Sequence, residues 1–433
     1  MFFQKEIETM SRPKLQELQL ERLQYTVKYC YDNVPFYKKK LDDAGVSPDD
    51  IRSLDDIRRI PPTTKADLRD NYPFGLFATP MKNIVRIHAS SGTTGKPTVV
   101  GYTKHDLDFW SDCMARLCAA VGVTDEDIVQ ISFGYGMFTG ALGLHYALEK
   151  LGCSVVPNSS GNTEKALMYM RDFKTTTLVA TPSYALYMGE TAKKLEYPMS
   201  DYHLKNGLLG SEGCTPELRQ QIEDVWGLFA SDNYGMSELI GPGVAGECIE
   251  RDGLHINEDY FLPEIVNPDT LESLPEGETG ELLVTTLTKE GIPLLRYRTR
   301  DITRLNYTPC KCGRTFCRMD KIKGRSDDML KIRGVNVFPS QIESVLISMK
   351  NVSPHYQLVV RREGYADTLE VQVELSDPSM LESYGLIEQM QKNIQHNLQT
   401  VLGIQCKVNI VEPNSIERFT GKAKHVIDLR KKV

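Results

Sequence analysis

The stretch CSVVPNSSGNTEKALMYMRDFKTTTLVAT, residues 153–181, decides the fold class. It begins and ends with short runs rich in β-branched residues, CSVVP and TLVAT, and such runs are typical of buried strands. The residues between them are predicted to form a helix from about residue 163 to 172. A strand, a helix and a second strand in this order indicate the repeating unit of a parallel sheet.

The same alternation continues on both sides of this stretch. Upstream, Thr103 and Asp106 have the spacing of a capping box, and the helix that they begin has an apolar face formed by Leu107, Trp110, Met114, Leu117 and Val121. The next elements along the chain are predicted to be a strand at 128–133, a helix near 140–151, a helix near 183–195, a strand at 206–210 and a helix that begins at Pro216. We therefore predict an α/β fold with a mostly parallel sheet covered on both faces.

The two ends of the chain have a different character. Residues 1–80 are predicted to be mostly helical, and from about residue 245 short β runs alternate with glycine and proline turns. A helix, two strands, a helix and a strand follow from about residue 328, which is the pattern of a compact α+β unit. We predict a large N-terminal domain over residues 1–326, with a β-rich subdomain from about 245 to 326, and a small mobile C-terminal domain over 327–433.

The composition excludes several classes of protein. The net charge of -7 argues against a general binder of nucleic acids or anionic membranes, and 41% hydrophobic with 25% charged residues is ordinary for a soluble protein. The first residues, MFFQKEIETM, lack the regions of a signal peptide, which predicts a cytoplasmic protein with reduced thiols. The long uncharged run at 128–148 contains Gln130, Ser132, Thr139 and His145, so a strand, a turn and a helix explain it better than a membrane span.

The loop SSGTTGKPT, residues 90–98, resembles a phosphate-binding P-loop but does not have its spacing. A P-loop requires a glycine where this loop has Ser90, and it requires a serine or threonine where this loop has Pro97. Both flanks read as strands, whereas a P-loop leads from a strand into a helix. The glycines and hydroxyls nevertheless suit a polyphosphate, and the alternative is an ordinary polar hairpin.

Further polar clusters follow predicted strand ends, where α/β sheets bind ligands. They are SEG at 211–213, SDNYGMSE at 231–238, RYRTRD at 296–301 and GRSDDMLKIRG at 324–334. Each cluster taken alone is better explained as a turn or a salt-bridged loop.

The order of these motifs is more specific than any one of them. SSGTTGKPT, YGMSE, RYRTRD, GRSDDMLKIRGVNVFPSQIE and FTGKAK occur in the order found in the adenylate-forming superfamily, which the chain therefore resembles over residues 90–425. Within that superfamily, the short N-terminus and the segment FGYGMFTGALGLHYALEKLG resemble the phenylacetate–coenzyme A ligase family over essentially the whole chain. This resemblance implies that a carboxylate attacks the α-phosphate of ATP and that coenzyme A then displaces AMP, with Mg²⁺ and lysines offsetting the charge.

The resemblance also implies roles for particular residues. Tyr234 would stack near the adenine, Asp301 would accept the ribose hydroxyls, and Glu238 would bind Mg²⁺. Lys422 would meet the reacting carboxylate and α-phosphate, Asp327 would be the hinge between the domains, and Gly334 would let coenzyme A pass. The residues expected to bind ATP or AMP are Ser90, Ser91, Gly92, Thr93, Thr94, Gly95, Lys96, Ser211, Glu212, Gly213, Asn233, Tyr234, Gly235, Met236, Ser237, Asp301 and Arg325.

The glycine-rich segment would form the acid pocket. Tyr135, Met137 and Phe138 offer an apolar, aromatic wall, and Gly213 would leave room for the ring. The alternative is that these side chains are ordinary core residues. We interpret His88 and His145 as structural residues with satisfied side chains, and His145 is also a candidate neighbour of the substrate.

A cysteine cluster suggests a separate structural zinc site. Cys248, His255, Cys310 and Cys312 would supply four ligands, with Cys317 as a spare, and soft thiolates plus an imidazole suit tetrahedral zinc. The spacing is not that of a standard zinc knuckle, and the alternative is unligated thiols in a β turn.

The sequence thus predicts an ATP-dependent ligase that joins an aryl acid, with phenylacetate first among the candidates, to coenzyme A. One alternative is a relative that passes the acyl or AMP group to another acceptor. An alternative from another class is a zinc-containing nucleic-acid-binding protein, which the net charge of -7 disfavours. The expected partners are small molecules only, without nucleic acid or membrane, and a homodimer stays open.

Overall fold

The protein is described from a computed structural model, which describes residues 1–90, 97–326, 330–332, 335–363, 366–377, 380, 384–418 and 425–430. The helices are α1 (Lys5–Glu8), α2 (Arg12–Asn33), α3 (Pro35–Asp43), α4 (Lys65–Asp70), α5 (Lys104–Ala120), α6 (Gly140–Leu151), α7 (Thr163–Asp172), α8 (Pro182–Lys194), α9 (Pro216–Trp226), α10 (Pro339–Ser348) and α11 (Tyr384–Leu402).

Twenty-one strands accompany these helices among the residues that the structure describes. They are β1 (Arg86–Ala89), β2 (Val99–Tyr102), β3 (Ile128–Ile131), β4 (Ser154–Val156), β5 (Thr177–Ala180), β6 (Asn206–Gly210), β7 (Phe229–Met236), β8 (Gly241–Glu247), β9 (Leu254–Ile256), β10 (Phe261–Val266), β11 (Gly280–Thr286), β12 (Tyr297–Thr303), β13 (Leu305–Asn306), β14 (Arg318–Met319), β15 (Gly324–Arg325), β16 (Leu330–Ile332), β17 (Val335–Val337), β18 (Val352–Glu363), β19 (Ala366–Leu375), β20 (Lys407–Ile410) and β21 (Val426–Asp428).

The chain divides into two compact units. The first comprises residues 1–180, 200–211 and 229–321, and the second comprises residues 181–199, 212–228 and 322–433. Helices α8 and α9 therefore group with the C-terminal segment, although the chain order places them among the elements of the first unit.

A nine-stranded sheet is the centre of the first unit, with the strand order β13-β14-β9-β8-β7-β6-β5-β3-β4. The five strands from β4 to β7 pair in parallel, as the strand and helix alternation predicts, and β7, β8, β9, β14 and β13 pair antiparallel. The sheet is therefore mixed, because β8, β9, β13 and β14 extend it instead of forming a separate sheet. Strands β10, β11 and β12 form a second, antiparallel sheet.

Helix α5 links this sheet to the helices beside it. The Thr103 Oγ1 accepts from the Asp106 N–H at 3.1 Å and the Asp106 carboxylate accepts from the Thr103 N–H at 3.0 Å, so the predicted capping box begins the helix. The helix packs against α6 and β8. Trp110, which is 2% exposed, donates its indole N–H to the Pro242 carbonyl at 2.6 Å, and a Cβ at Gly143 would lie 2.4 Å from its ring. Glycine is therefore required where α6 crosses Trp110.

The second unit contains a four-stranded sheet in the order β20-β19-β18-β21. Apolar residues alternate along its two central strands, and the inward set packs with α10 and α11. The buried core includes Ile342, Leu346, Leu358, Val360, Val371, Val373, Ile394 and Leu398. This α+β arrangement agrees with the pattern read from the last hundred or so residues of the sequence.

In the described part of the chain, no helix is both long enough and apolar enough to cross a bilayer. The uncharged run at 128–148 is instead strand β3, a glycine-rich connection and helix α6. All ten cysteines fall within the described residues, and none of them forms a disulfide.

A buried ion pair connects α5 with the segment before β10. The Arg116 guanidinium donates to both Asp259 carboxylate oxygens, at 2.7 and 3.1 Å, and the two side chains are 3% and 1% exposed. Burial acts to lower the pKa of Arg116, but the Asp259 carboxylate, with smaller contributions from Cys113 and Tyr260, holds it above its usual value. Such a pair is expensive to break, because the remaining partner keeps its charge in a dry environment.

We expect Asp259→Asn to lower the free energy of unfolding by about 3–5 kcal/mol, since it leaves Arg116 buried without its counter-charge. Urea denaturation followed by circular dichroism measures this change. The control is Asp43→Asn, which breaks the exposed Lys39–Asp43 pair on α3 and should change stability by less than about 1 kcal/mol. Equal, small effects of the two substitutions would contradict the assignment of a structural ion pair.

Candidate active site

Strand β7, in the middle of the nine-stranded sheet, contains the first six residues of the motif SDNYGMSE. It pairs with β6 in parallel, with Gly210 opposite Asn233, and with β8 in an antiparallel arrangement, with Tyr234 opposite Ala245. Ser211 follows directly after β6 with a φ of 74°, a left-handed conformation that turns the chain away from the strand. The motifs at 211 and 233–238 therefore reach the same edge of the sheet, as predicted from their positions after strands.

The end of β7 requires a glycine and then forms a tight turn. A Cβ at Gly235 would lie 2.0 Å from the carbonyl oxygen of Gly241 on β8, so no other residue fits between the two strands. After Met236, the N–H groups of Leu239 and Ile240 donate back to the Met236 carbonyl at 3.1 and 3.2 Å. This turn, residues 236–240, places Ser237 and Glu238 just beyond the end of the strand.

Tyr234 and Asp301 are brought together from 67 positions apart in the sequence. The Tyr234 hydroxyl donates to the Asp301 Oδ2 at 2.6 Å, and Asp301 lies on β12 with 5% exposure. These are the residues that the sequence assigns to the adenine and the ribose. Their hydrogen bond places an aromatic ring and a carboxylate side by side, which are the two groups that a nucleoside requires.

Ser237 meets the glycine-rich segment. Its Oγ lies 3.2 Å from the Oγ1 of Thr139, the residue that precedes α6. This contact connects the predicted phosphate-binding motif to the segment that is predicted to hold the acid.

Glu238 is a buried carboxylate with an unusual environment. Its exposure is 3%, and its Oε1 lies 3.2 Å from the Nζ of Lys65 but has no hydrogen-bond partner among the described residues. A buried carboxylate oxygen with spare acceptor capacity fits the hard oxygen ligand that Mg²⁺ prefers. The residues present therefore suit the predicted magnesium role of Glu238.

Lys65 is a site residue that sequence reasoning missed. It is the first residue of α4, just after the Thr64 cap, in the N-terminal region for which the sequence predicted only a mostly helical character. The capping box of Thr64 and Asp67 was the available signal, because it predicts a helix start at Lys65. Nothing local indicates that this helix start lies beside Glu238.

The predicted phosphate loop is described only at its ends. Strands β1 and β2 pair antiparallel on either side of it, which agrees with the strand, loop and strand reading and not with a P-loop. The Ser90 N–H donates to the Thr98 carbonyl at 2.9 Å, and the buried Ser90 Oγ has no partner among the described residues. The predicted ligands Ser91, Gly92, Thr93, Thr94, Gly95 and Lys96 lie outside the described residues.

The aromatic segment after β3 is not core. Met137 and Phe138 are 55% and 54% exposed, which excludes the alternative that they fill the interior. Tyr135 is half-buried, and its hydroxyl lies 3.0 Å from the Nδ1 of His145, whose Nε2 lies 3.0 Å from Glu149. Burial raises the pKa of Tyr135 well above its usual value, so the phenol stays protonated.

The prediction that His88 is satisfied is only half right. Its Nδ1 lies 3.1 Å from the Met137 carbonyl, but its buried Nε2 has no hydrogen-bond partner in the part of the chain that is described. Burial lowers the pKa of His88 and keeps the ring neutral. His88 therefore supports the backbone of the aromatic segment while leaving one ring nitrogen unused.

The remaining predicted residues belong to the second unit or fall outside the described chain. The Glu212 Oε1 accepts from the Ser183 N–H at 2.7 Å and from its hydroxyl at 2.5 Å, and a Cβ at Gly213 would meet no described atom within 4 Å. Arg325 lies on β15. The predicted hinge Asp327, the predicted coenzyme A contact Gly334 and the predicted catalytic Lys422 lie outside the described residues.

The predicted zinc ligands converge in the first unit. One ligand atom from each of Cys248, His255, Cys310 and Cys312 lies within 4.8 Å of all the others. The Cys248 and Cys310 sulfurs are 3.8 Å apart, and the Cys312 sulfur lies 3.5 Å from the His255 Nε2. The hydrogen bond with Cys248 and the proximity of His255 lower the pKa of Cys312, so this cluster favours a thiolate. Cys317 is buried and does not belong to the cluster, which removes it as a spare ligand.

Comparisons with known proteins identify the family to which the chain belongs. The sequence model described as "AMP-binding enzyme" matches residues 4–288, and the one described as "AMP-binding enzyme C-terminal domain" matches residues 334–430. The structure is similar to that of 2-hydroxyisobutyryl-CoA ligase in the postadenylation state in complex with R3-HIB-AMP. That similarity has a TM-score of 0.92 at 29% sequence identity and covers 98% of this chain and 91% of the other.

Two relatives are similar over nearly their whole length. The chain is 51% identical to a phenylacetate-coenzyme A ligase of Escherichia coli, over 98% of this chain and 97% of the relative. It is 48% identical to a phenylacetate-coenzyme A ligase of Thermus thermophilus, over 100% of both chains. On these matches, the chain belongs to the phenylacetate–coenzyme A ligase family of the AMP-binding, adenylate-forming enzymes.

Proposed function

We propose that this protein ligates phenylacetate to coenzyme A in an ATP-dependent reaction that forms an acyl-adenylate and releases AMP and pyrophosphate. The observation that carries the proposal is the arrangement on and beside β7, where Tyr234 bonds to Asp301 and the buried Glu238 carboxylate follows four residues later. Relatives of the same family at 51% and 48% identity carry this activity in their names. The unbridged thiols favour a cytoplasmic location.

The chemical difficulty of the first step is electrostatic, because a carboxylate must approach a polyanion. We assign the nucleoside to Tyr234 and Asp301, and the Ser237 hydroxyl would donate to a phosphate oxygen. Glu238 would hold Mg²⁺, which supplies positive charge to the phosphates, and the Lys65 ammonium adds a second positive charge at 3.2 Å from Glu238. We assign to Lys422 the contact with the reacting groups that the family resemblance implies.

The direct test is a panel of acids assayed with ATP and coenzyme A. Phenylacetate, hydroxyphenylacetates, indoleacetate, benzoate and acetate are compared by their kcat/KM. Thioester formation that is fastest with phenylacetate supports the proposal. Pyrophosphate release without any thioester would support the alternative in which the acyl or AMP group passes to another acceptor.

We expect Phe138→Ala to lower kcat/KM for phenylacetate about 10–100-fold, because it removes an apolar wall from the acid pocket and loses roughly 1.5–3 kcal/mol of apolar contact. The KM for ATP should change less than about threefold, since the nucleotide contacts are elsewhere. Steady-state kinetics with each substrate varied measure both values. The matched control is Phe173→Ala, which removes another exposed phenylalanine just after α7 and should leave both constants near wild type.

We expect Lys422→Ala to lose acyl-adenylate formation by at least about 100-fold, the scale for removal of one charge-stabilising group. The same variant should still convert pre-made acyl-AMP and coenzyme A to thioester at a substantial rate, because the lysine serves only the first step. Pyrophosphate release and thioester formation are measured separately. Lys424→Ala is the control and should affect neither step.

Two results would contradict this assignment. Equal loss of both half-reactions in Lys422→Ala would exclude separate arrangements for the two steps. Near-normal adenylation in that variant would exclude Lys422 as the reacting lysine.

We also propose that Cys248, His255, Cys310 and Cys312 hold one structural zinc ion. A tetrahedral zinc with bonds of about 2.3 Å to sulfur and about 2.0–2.1 Å to nitrogen separates two sulfurs by about 3.8 Å and a sulfur from a nitrogen by about 3.5 Å. The structure has 3.8 Å between Cys248 and Cys310 and 3.5 Å between Cys312 and His255. The three sulfurs and one imidazole therefore suit this ion in number, chemistry and spacing.

Elemental analysis of the purified protein should find about one zinc per chain, which is what four convergent ligands hold. Cys312→Ser should lose the metal and lower the melting temperature, whereas adenylation at a temperature well below melting should fall much less. Cys317→Ser is the matched control, because this buried thiol lies outside the cluster and its loss should leave the zinc in place. A metal-free wild-type protein with unchanged melting temperature would contradict the site.

A further inference from the structure

Lys289 is a lysine whose whole side chain is inside the first unit. Its exposure is 1%, and its ammonium donates to the backbone carbonyls of Glu238, at 3.0 Å, and Leu239, at 2.5 Å. Burial lowers the pKa of Lys289 to about 8, although Asp106 and Glu238 act in the opposite direction. A lysine buried to this extent is rare unless its ammonium group is paired. The role of the two backbone carbonyl groups that accept from Lys289 therefore indicates why it is buried.

The acceptors belong to the turn at 236–240 that carries Ser237 and Glu238. The turn is too short for later N–H groups of a helix to donate to its carbonyl groups. A buried carbonyl group without a hydrogen-bond donor is costly. Here the Tyr102 hydroxyl donates to the Ile240 carbonyl at 3.0 Å and to the Ser237 carbonyl at 3.4 Å. The single phenol hydrogen is thus shared between the carbonyls of residues 237 and 240, and the ammonium donates to those of residues 238 and 239.

The backbone that carries Lys289 is itself anchored on both sides. Thr288 has a φ of 66°, and its N–H donates to the Thr26 Oγ1 of helix α2 at 3.1 Å. The N–H groups of Glu290 and Gly291 donate to the Asp106 carboxylate of helix α5, each at 2.8 Å. Because these contacts fix the backbone of residues 288–291, the ammonium holds the turn against a rigid support.

Two cations thus act on Glu238 from different directions. Lys65 approaches the carboxylate from the partly exposed side, and Lys289 binds the backbone of the same residue from the interior. Only the first can exchange with solvent or substrate, because Lys65 is 41% exposed whereas Lys289 is enclosed. The two lysines therefore have distinct tasks.

We infer that Lys289 is a positioning residue for the adenylation step: it fixes the turn at 236–240 so that Ser237 and Glu238 keep the places where nucleotide and metal are bound. The expected effect on adenylation rests on the proposed function, whereas the contact between Lys289 and the turn is independent of it. Lys289 contacts no reacting group and acts through the backbone of Glu238.

The test compares Lys289→Met with wild type by hydrogen exchange of the peptide that covers residues 236–240, without nucleotide or metal. We expect exchange there to be at least about tenfold faster while peptides of α7 exchange as in wild type, because only the turn loses its donors. Adenylation should fall about 10–100-fold, the scale for partners that orient a ligand group, and thioester formation from pre-made acyl-AMP should stay within about threefold.

Two further variants separate positioning from general support. Tyr102→Phe removes the hydroxyl bonded to the other two carbonyls of the same turn and should show the same selective pattern to a smaller degree, which also keeps the inference testable if Lys289→Met does not fold. Lys150→Met is the matched control, because this lysine also bonds a carbonyl and carboxylates, at Asp108 and Asp112, away from the turn. It should leave exchange at 236–240 and both half-reactions near wild type.

Unchanged exchange at 236–240 in both Lys289→Met and Tyr102→Phe would overturn the inference. Equal loss of both half-reactions, in step with a lower melting temperature, would overturn it too, because that pattern is general destabilisation. Failure of the proposed function is distinguishable, since wild-type protein would then release no pyrophosphate with any acid of the panel while the exchange result would still report on the turn.

Discussion

The buried carboxylate group of Glu238 is the point on which the end of β7 and two distant segments of the first unit converge. Glu238 is 3% exposed, and an isolated charge at such a position would be strongly destabilised. The fold meets this demand with cations from two distant parts of the chain, Lys65 at the start of α4 and Lys289 after β11. The N-terminal helices and the second antiparallel sheet are therefore tied to the end of β7, although neither contains a nucleotide motif.

Asp106 shows how one side chain serves both folding and site. Its carboxylate closes the capping box of α5 and also accepts hydrogen bonds from the N–H groups of Glu290 and Gly291, the two residues after Lys289. Burial raises the pKa of Asp106, and the N–H donors together with Lys289 oppose that effect. The start of α5 is thereby coupled to the segment that supports the turn at 236–240. The Asp106 carboxylate is needed both for the capping box and for this segment.

The cysteine cluster follows from strand order. Cys248 lies just after β8 and His255 on β9, whereas Cys310 and Cys312 lie between β13 and β14. Strand β14 pairs with β9, with Arg318 opposite His255, and this pairing brings together two halves of the cluster that are 55 or more positions apart in the sequence. A metal at this place would connect the middle of the large sheet to its antiparallel end, which is consistent with a structural role.

The sequence by itself determined the alternation of strands and helices, the cap of α5, the strand, loop and strand character of residues 85–103, and the motifs on β7 and β12. These are local properties, set by residue periodicity, capping chemistry and the backbone freedom of glycine. Only the tertiary structure decided that β8, β9, β13 and β14 extend the large sheet, that Met137 and Phe138 are exposed, and that Lys65 and Lys289 flank Glu238. The reason is that these features depend on pairings between segments tens to hundreds of residues apart. The residues around Lys65 and Lys289 do not indicate which carboxylate or carbonyl group each lysine will contact.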